Sequence, residues 1–275
     1  MSRHLRPYIA IVSARYRMLL QYRAAALAGL VTQGFWGAIR LMILAAFYAA
    51  SAQAHPMSMP EIVTYVWLGQ AFFGMLPWNI DGEFTQKVRD GSVAYDFLRP
   101  VDVYAFWYSH TLAYRAAPTT LRAIPMGCFA ILVLPCLGLG EWALRPPPTL
   151  QSGVLFGVSL MAAVALSTAI TTLSQLSLLW TISAAGMDRI MPAVVTLFSG
   201  MVIPLPLFPD WLQPLLHWQP FRGLVDVPFR IYSGNIPPTM ALYEIAQQSV
   251  WIGLLVWLGR VLLARGTRRL VIQGG

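Results

Sequence analysis

The stretch GVLFGVSLMAAVALSTAITTLSQLSLLW, residues 153–180, runs for 28 residues without one Asp, Glu, Lys or Arg. A helix rises about 1.5 Å per residue and the hydrocarbon core of a bilayer is about 30 Å thick, so about 20 such residues already make a crossing. A soluble helix of this composition would have no face to turn toward water. Its few polar residues include Ser167, Thr171, Ser174 and Gln175, which helical spacing gathers into one stripe. Such a stripe is expected to face protein, not lipid.

Five further runs of this kind flank the first: residues 24–50, 62–80, 118–139, 190–208 and 245–264. Of the 275 residues 57% are hydrophobic and 11% charged, against about 45–50% and about 25% in an ordinary soluble domain. These proportions predict an all-α integral membrane protein with six transmembrane helices, occupying residues 24–264.

The net charge of +8 is carried by arginine, Lys87 being the single lysine. The basic residues sit in short segments between apolar runs, where they have a topological meaning and form no soluble face for nucleic acid. Residues 1–23, 81–103, 181–189 and 260–275 together hold 13 of the 19 Lys and Arg. The positive-inside rule therefore puts these segments, both termini and the tail 265–275 in the cytoplasm. Arg145, Arg222 and Arg230 fall outside, and Arg40, Arg115 and Arg122 lie in or beside spans. The excess of arginine over lysine points to a GC-rich bacterial genome, and the expected location is the bacterial inner membrane.

Three segments accompany the spans. In residues 1–23, Leu5, Tyr8, Ile9, Val12, Tyr16, Leu19 and Leu20 recur every three or four positions. This predicts an amphipathic helix lying in the interface, with Arg3, Arg6, Arg15 and Arg17 mostly off the apolar stripe. The N-terminus reads as mature, with no cleaved signal. In residues 81–103, Ile80, Phe84 and Val88 recur every fourth residue, a short amphipathic helix ending at Gly91, which can take a left-handed cap. Residues 209–243 hold several prolines with Trp211, Trp218, Phe221, Phe229 and Tyr232, a composition for broken, re-entrant or interfacial outer helices. The apolar character from Tyr104 to Leu139 is too long for one straight crossing, so an interfacial piece is expected before a span beginning near Pro118.

Several chemistries find no support. A phosphate-binding loop needs Lys followed by Ser or Thr, and Lys87 precedes Val88. Gly138, Gly140 and Ala143 match the dinucleotide fingerprint in spacing only, since no strand and helix flank them. Gly157, Ser159 and Met161 lack the last glycine of a nucleophile elbow. The four histidines show no metal-ligand spacing. Cys128 and Cys136, eight residues apart in one expected helix, lie about 12 Å apart, beyond disulfide reach.

The order of features resembles the permease subunits of ABC-2 type exporters, and the likeness covers nearly the whole chain. The stretch VRDGSVAYDFLRPV, residues 88–101, is similar to the Arg, Gly and Leu-Arg-Pro pattern of the subfamily catalogued as DUF990. The stretch FPDWLQPLLHWQPFRGLVDVPFRIYSGN, residues 208–235, resembles that family's region before the last helix, with Pro220, Phe221 and Gly234 in the recurring places. The resemblance implies an ATP-driven exporter of an amphipathic small molecule. It further implies a partner pair of ABC ATPase subunits that bind ATP and Mg, and a second six-helix permease, identical or related. The chain itself would be a non-catalytic subunit without a cofactor. The segment Phe84, Lys87, Val88, Arg89, Asp90, Gly91, Leu98, Arg99 and Pro100 would then couple to the ATPase.

Two readings stand for the polar residues inside the spans. Arg40, Gln70, Ser167, Thr171, Ser174 and Gln175 would line a pathway, or Arg40 would snorkel to the outer interface and the others would join helices. A gradient-driven transporter acting without an ATPase is the alternative function, prompted by Arg40 and the broken outer helices.

Overall fold

The computed structural model describes residues 5–21, 23–50, 55–181 and 183–267. No strand occurs among them. The helices are α1 (Arg6–Leu19), α2 (Arg23–Ala50), α3 (Met59–Ala71), α4 (Gly82–Arg89), α5 (Val103–Cys128), α6 (Leu134–Cys136), α7 (Leu150–Thr181), α8 (Ala185–Phe198), α9 (Gln213–Trp218), α10 (Asp226–Ser233) and α11 (Pro238–Gly266). Four stretches are long and apolar enough to cross a membrane: Gly29–Ala50, Val103–Cys136, Leu150–Thr181 and Pro238–Gly266. Arg3, Arg268 and Arg269, with residues 51–54 of the connection after the first run, lie outside the described residues.

Helix α7 is the centre of the bundle, packed by α5, α10 and α11. Helix α2 lies to one side against α3 and α5, and its far face leaves Val31, Phe35, Ile43 and Phe47 exposed. In water such a face would be costly; in a bilayer it costs little.

Helix α3 begins in a capping box, Ser58 with Glu61, whose Oε2 accepts from the Ser58 N–H at 2.5 Å. It ends at Ala71, well before residue 80, where the apolar run ends. A 3₁₀ turn, Phe73–Met75, follows, and Leu76 is extended before Pro77, as the proline ring requires. Hydropathy does not register this break because apolar residues continue through it. Gly74 shows why the chain leaves the helix here: a Cβ on it would sit 3.2 Å from the backbone of Pro118 in α5.

A broken helix inside a membrane protein exposes carbonyls that only protein can satisfy. Here Arg115 of α5 donates from Nη1 to Leu76 O at 2.9 Å, from Nη2 to Asn79 O, and from Nε to the Thr171 hydroxyl at 3.0 Å. Ser167 of α7 donates to Met75 O. The Ile80 N–H is taken by Asp188 Oδ1 of α8 at 3.0 Å. Arg115 is 3% exposed, and its three contacts join α5, α7 and the end of α3.

Helix α5 continues through Pro118 and Pro125 without the break expected near Pro118. The Thr119 hydroxyl donates to Arg115 O, and that of Thr120 is shared between Ala116 O and Ala117 O, so side-chain donors line the turn that Pro118 loosens. Beyond Cys128 a π-helical turn, Phe129–Val133, carries the helix into α6.

Helix α8 spans 14 residues, where the apolar run had suggested a span to residue 208. It stops at Gly200, whose φ of 83° favours glycine. A side chain there would also meet the Tyr65 hydroxyl at 2.5 Å.

Residues 209–243 are built into the bundle. Helix α10 buries Val227, Phe229 and Ile231 against α3 and α7, with Phe229 edge-on to Tyr65 at 5.5 Å. Gln248 of α11 donates to Gly223 O at 2.7 Å and accepts from Ser159 of α7 at 3.0 Å. Arg222 pairs with Glu244 at 2.9 Å, both buried. Gly234, at φ 82°, closes α10.

Replacing Arg115 by Leu is expected to leave two carbonyls unpaired at about 1–3 kcal/mol each, and Ser167→Ala to cost about 1 kcal/mol. Thermal unfolding in neutral detergent checks the order: a variant as stable as the parent at position 115 would remove its bracing role.

Candidate functional site

The segment between α3 and α5 is a folded hairpin. Asp81 caps α4, accepting from the Glu83 N–H at 3.1 Å. The helix closes at Asp90, whose carboxylate accepts from the Ser92 N–H at 2.9 Å. Gly91 then reverses the chain at φ 77°, the left-handed cap that the sequence suggests. A 3₁₀ turn, Ser92–Leu98, leads to an extended Arg99 before Pro100. Asp102 caps α5 by accepting from the Ala105 N–H at 2.7 Å, and pairs with Arg260 of α11 at 3.3 Å.

The apolar stripe of α4 turns inward. Ile80, Phe84 and Val88 join Val93, Trp107, Leu176, Leu178 and Leu263 in one cluster, with Phe84 edge-on to Trp107 at 5.0 Å. Under the turn lies Asp96, 2% exposed. It accepts from Trp107 Nε1 at 3.1 Å and pairs with Arg99 at 3.3 Å and Lys87 at 3.7 Å. Lys87 and Arg99 are therefore committed to holding the turn closed. The exposed side presents Arg89, Asp90, Gly91, Leu98 and Pro100. Leu98 is 79% exposed and Tyr95 70%, two large apolar-bodied side chains at the tip of a braced turn.

Three residues of this arrangement escaped the sequence reading. Tyr95 and Asp96 stand inside the quoted stretch and become distinct only when the 3₁₀ turn sends one outward and the other inward. Arg15 was expected at lipid phosphates; it is 8% exposed and pairs with Asp81 at 2.6 Å and Glu83 at 2.5 Å. It thus ties α1 to α4, and α1 packs along α5 with Tyr16 bonded to Thr120 at 2.7 Å. The signal available was the pair of acids at the start of α4, which need a cation when half-buried. Burial pushes the Glu83 carboxyl up, yet the Arg15 hydrogen bond and charge, with His110 and Lys87, outweigh it and hold it below the ordinary value.

The residues within the spans are not gathered at one point. Arg40 of α2 donates to Met201 O at 2.8 Å, just past Gly200. Gln70, 1% exposed, has no partner for Nε2 among the described residues. Of the α7 stripe, Ser167 and Thr171 engage the α3 break and Arg115, Gln175 accepts from Thr111 at 2.9 Å, and Ser174 donates to Ile170 O of its own helix. The bonds of Ser167, Thr171 and Gln175 run between elements, whereas that of Ser174 stays within α7. Among the described residues no group of His, Cys, Asp and Glu is arranged to hold a metal ion.

Residues 35–274 match the family model described as ABC-2 family transporter protein, and the chain belongs to that family. With its long apolar helices it is a multi-pass membrane protein of the ABC permease type, a class that works with an ABC ATPase. No curated protein and no solved structure matches the chain.

The lowered Glu83 value carries a pH dependence. A carboxyl whose folded value lies below its unfolded one stabilises fully above about pH 4.3, and the contribution is lost as pH falls through the folded value. Acidification through that window is expected to lower the melting temperature of the parent more than that of Glu83→Gln. Parallel curves for the two would detach Glu83 from the α1 clamp.

Proposed function

We propose that the chain is the membrane subunit of an ABC-2 exporter that moves an amphipathic small molecule outward, driven by ATP hydrolysed on a separate subunit. Six crossings account for it best: α2, α3 with its following turn, α5 with α6, α7, α8, and α11. The short α3 and α8 would reach across with the help of the non-helical segments that continue them. The termini and the α4 hairpin would face the cytoplasm of a bacterial inner membrane, and the segment around α10 the outside. Two ATPase subunits would bind ATP and Mg, and a second permease, identical or related, would complete the complex.

The observation that carries this reading is the hairpin. Its apolar tip, Tyr95 and Leu98, is exposed while its inner face is fixed to α5, α7, α1 and α11. An exposed apolar tip on a braced support suits docking of a soluble partner. A push on it would reach α5 directly, through Asp96, Trp107 and Asp102, and α7 through Leu176 and Leu178. The coupling set is then divided: Phe84, Val88, Lys87 and Arg99 transmit, while Arg89, Asp90, Gly91, Leu98 and Pro100 contact.

Leu98→Glu places a charge in that contact without disturbing the fold, since Leu98 is among the most exposed large side chains. Co-purification with the ATPase and substrate-stimulated hydrolysis are expected to fall about tenfold, or about 1.4 kcal/mol of docking energy. Normal assembly and hydrolysis would remove the docking role. Gradient-driven export by vesicles holding this chain alone, without ATP, would replace the reading altogether.

A further inference from the structure

A cavity of about 310 Å³ lies between the end of α1, the broken end of α3 and the middle of α5. Leu19, Phe73 and Leu121 give it an apolar wall, and Trp78, Arg115 and Arg122 a polar one. The two arginines are seven residues apart on α5, so they share a face, about 10 Å apart along the axis. Neither forms an ion pair among the described residues.

Their roles differ. Arg115 spends its donors on neutral oxygens, Leu76 O, Asn79 O and the Thr171 hydroxyl. Its charge stays inside the protein with no carboxylate in contact. Arg122 has neither hydrogen bond nor ion pair among the described residues, and it rests against α2, where a Cβ on Gly29 would lie 3.4 Å from its guanidinium. The bundle thus leaves room for this side chain and supplies no anion for it.

Trp78 and Tyr114 at the rim are the aromatic types that settle at headgroup depth. The turn from amphipathic α1 into α2 lies at the same level, since Leu19 lines the cavity and Tyr16 meets Thr120. Arg122, without a partner among the described residues, and Arg115, over the Tyr114 ring at 5.0 Å and with no carboxylate in contact, stand together beside an apolar wall and define one ligand chemistry.

We propose that this cavity binds the phosphate headgroup of an anionic amphiphile. Arg122 makes the direct anion contact, Arg115 supplies charge from behind, and Leu19, Phe73 and Leu121 take the first methylenes of the chain. An arginine fork matches phosphate oxygens well; a zwitterionic headgroup offers the same phosphate but sets a choline cation beside the two arginines, so the site favours a headgroup of net negative charge. The inference concerns binding alone and stands apart from the transport reading.

The test places the full chain in nanodiscs of equimolar phosphatidylglycerol and phosphatidylcholine, transfers it to neutral detergent, and counts retained lipids by native mass spectrometry. Phosphatidylglycerol is expected to be retained about tenfold over phosphatidylcholine. Arg122→Gln should abolish that preference, and Leu19→Trp, which fills the cavity from α1 with no change of charge, should reduce the retained phosphatidylglycerol. Both variants should keep the parent's elution profile and melting temperature, because neither residue holds a hydrogen bond in the bundle. Excess inorganic phosphate should leave the retained lipid in place. Equal retention of the two lipids, a preference untouched by both variants, or displacement by inorganic phosphate alone would each overturn the assignment, the last by making the cavity a site for free phosphate.

Discussion

The structure depends on one arginine filling the gap left by a broken helix. When α3 unwinds after Ala71, the fully buried Met75 and Leu76, with Asn79, present carbonyls without helical partners, and α5 and α7 supply the donors. Arg115 is suited to this because its planar fork reaches three oxygens on two segments at once, two after α3 and one on α7. Without the break, the hairpin that follows α3 would leave the bundle along the direction of α3. With it, the chain turns under α5 and α7, and the inner face of α4 meets Trp107 and Leu176.

The hairpin then inherits its rigidity from several anchors of different kinds. Its apolar stripe is packed, its turn is closed on Asp96, its start is clamped by Arg15, and its end is tied to α11 through Asp102 and Arg260. These are partly buried charges whose partners come from distant parts of the chain. Their geometry makes α1, the hairpin, α5 and the end of α11 one mechanical unit on one side of the molecule.

The sequence carried the helical class, the long apolar stretches, the cap at Gly91 and the inward stripe Ile80, Phe84 and Val88. Each of these is a local property: a run length, a glycine at a reversal, a period of four. Arg115 was legible only as an arginine beside a span, because its partners are backbone oxygens that become available only once α3 has broken. The early end of α3 was hidden by apolar residues continuing to Ile80, although Pro77 and Gly74 mark the place in retrospect. The continuity of α5 through Pro118 runs against the usual meaning of proline; threonine hydroxyls bond the carbonyls beside it, and these bonds are not visible in a count of apolar residues. Arg15 was misplaced because a basic amphipathic helix suits a headgroup layer equally well, and only its neighbours Asp81 and Glu83 decide.

The unbroken run from Val103 to Cys136 has a geometric consequence. At about 1.5 Å per residue it is a rod of about 50 Å, so a tilt of about 5° imposed at the hairpin end carries the far end sideways by about 4 Å. That is close to the width of a methyl group. A helix interrupted at Pro118 would dissipate such a tilt at its hinge, whereas a helix continuous past Pro118 carries it along its length.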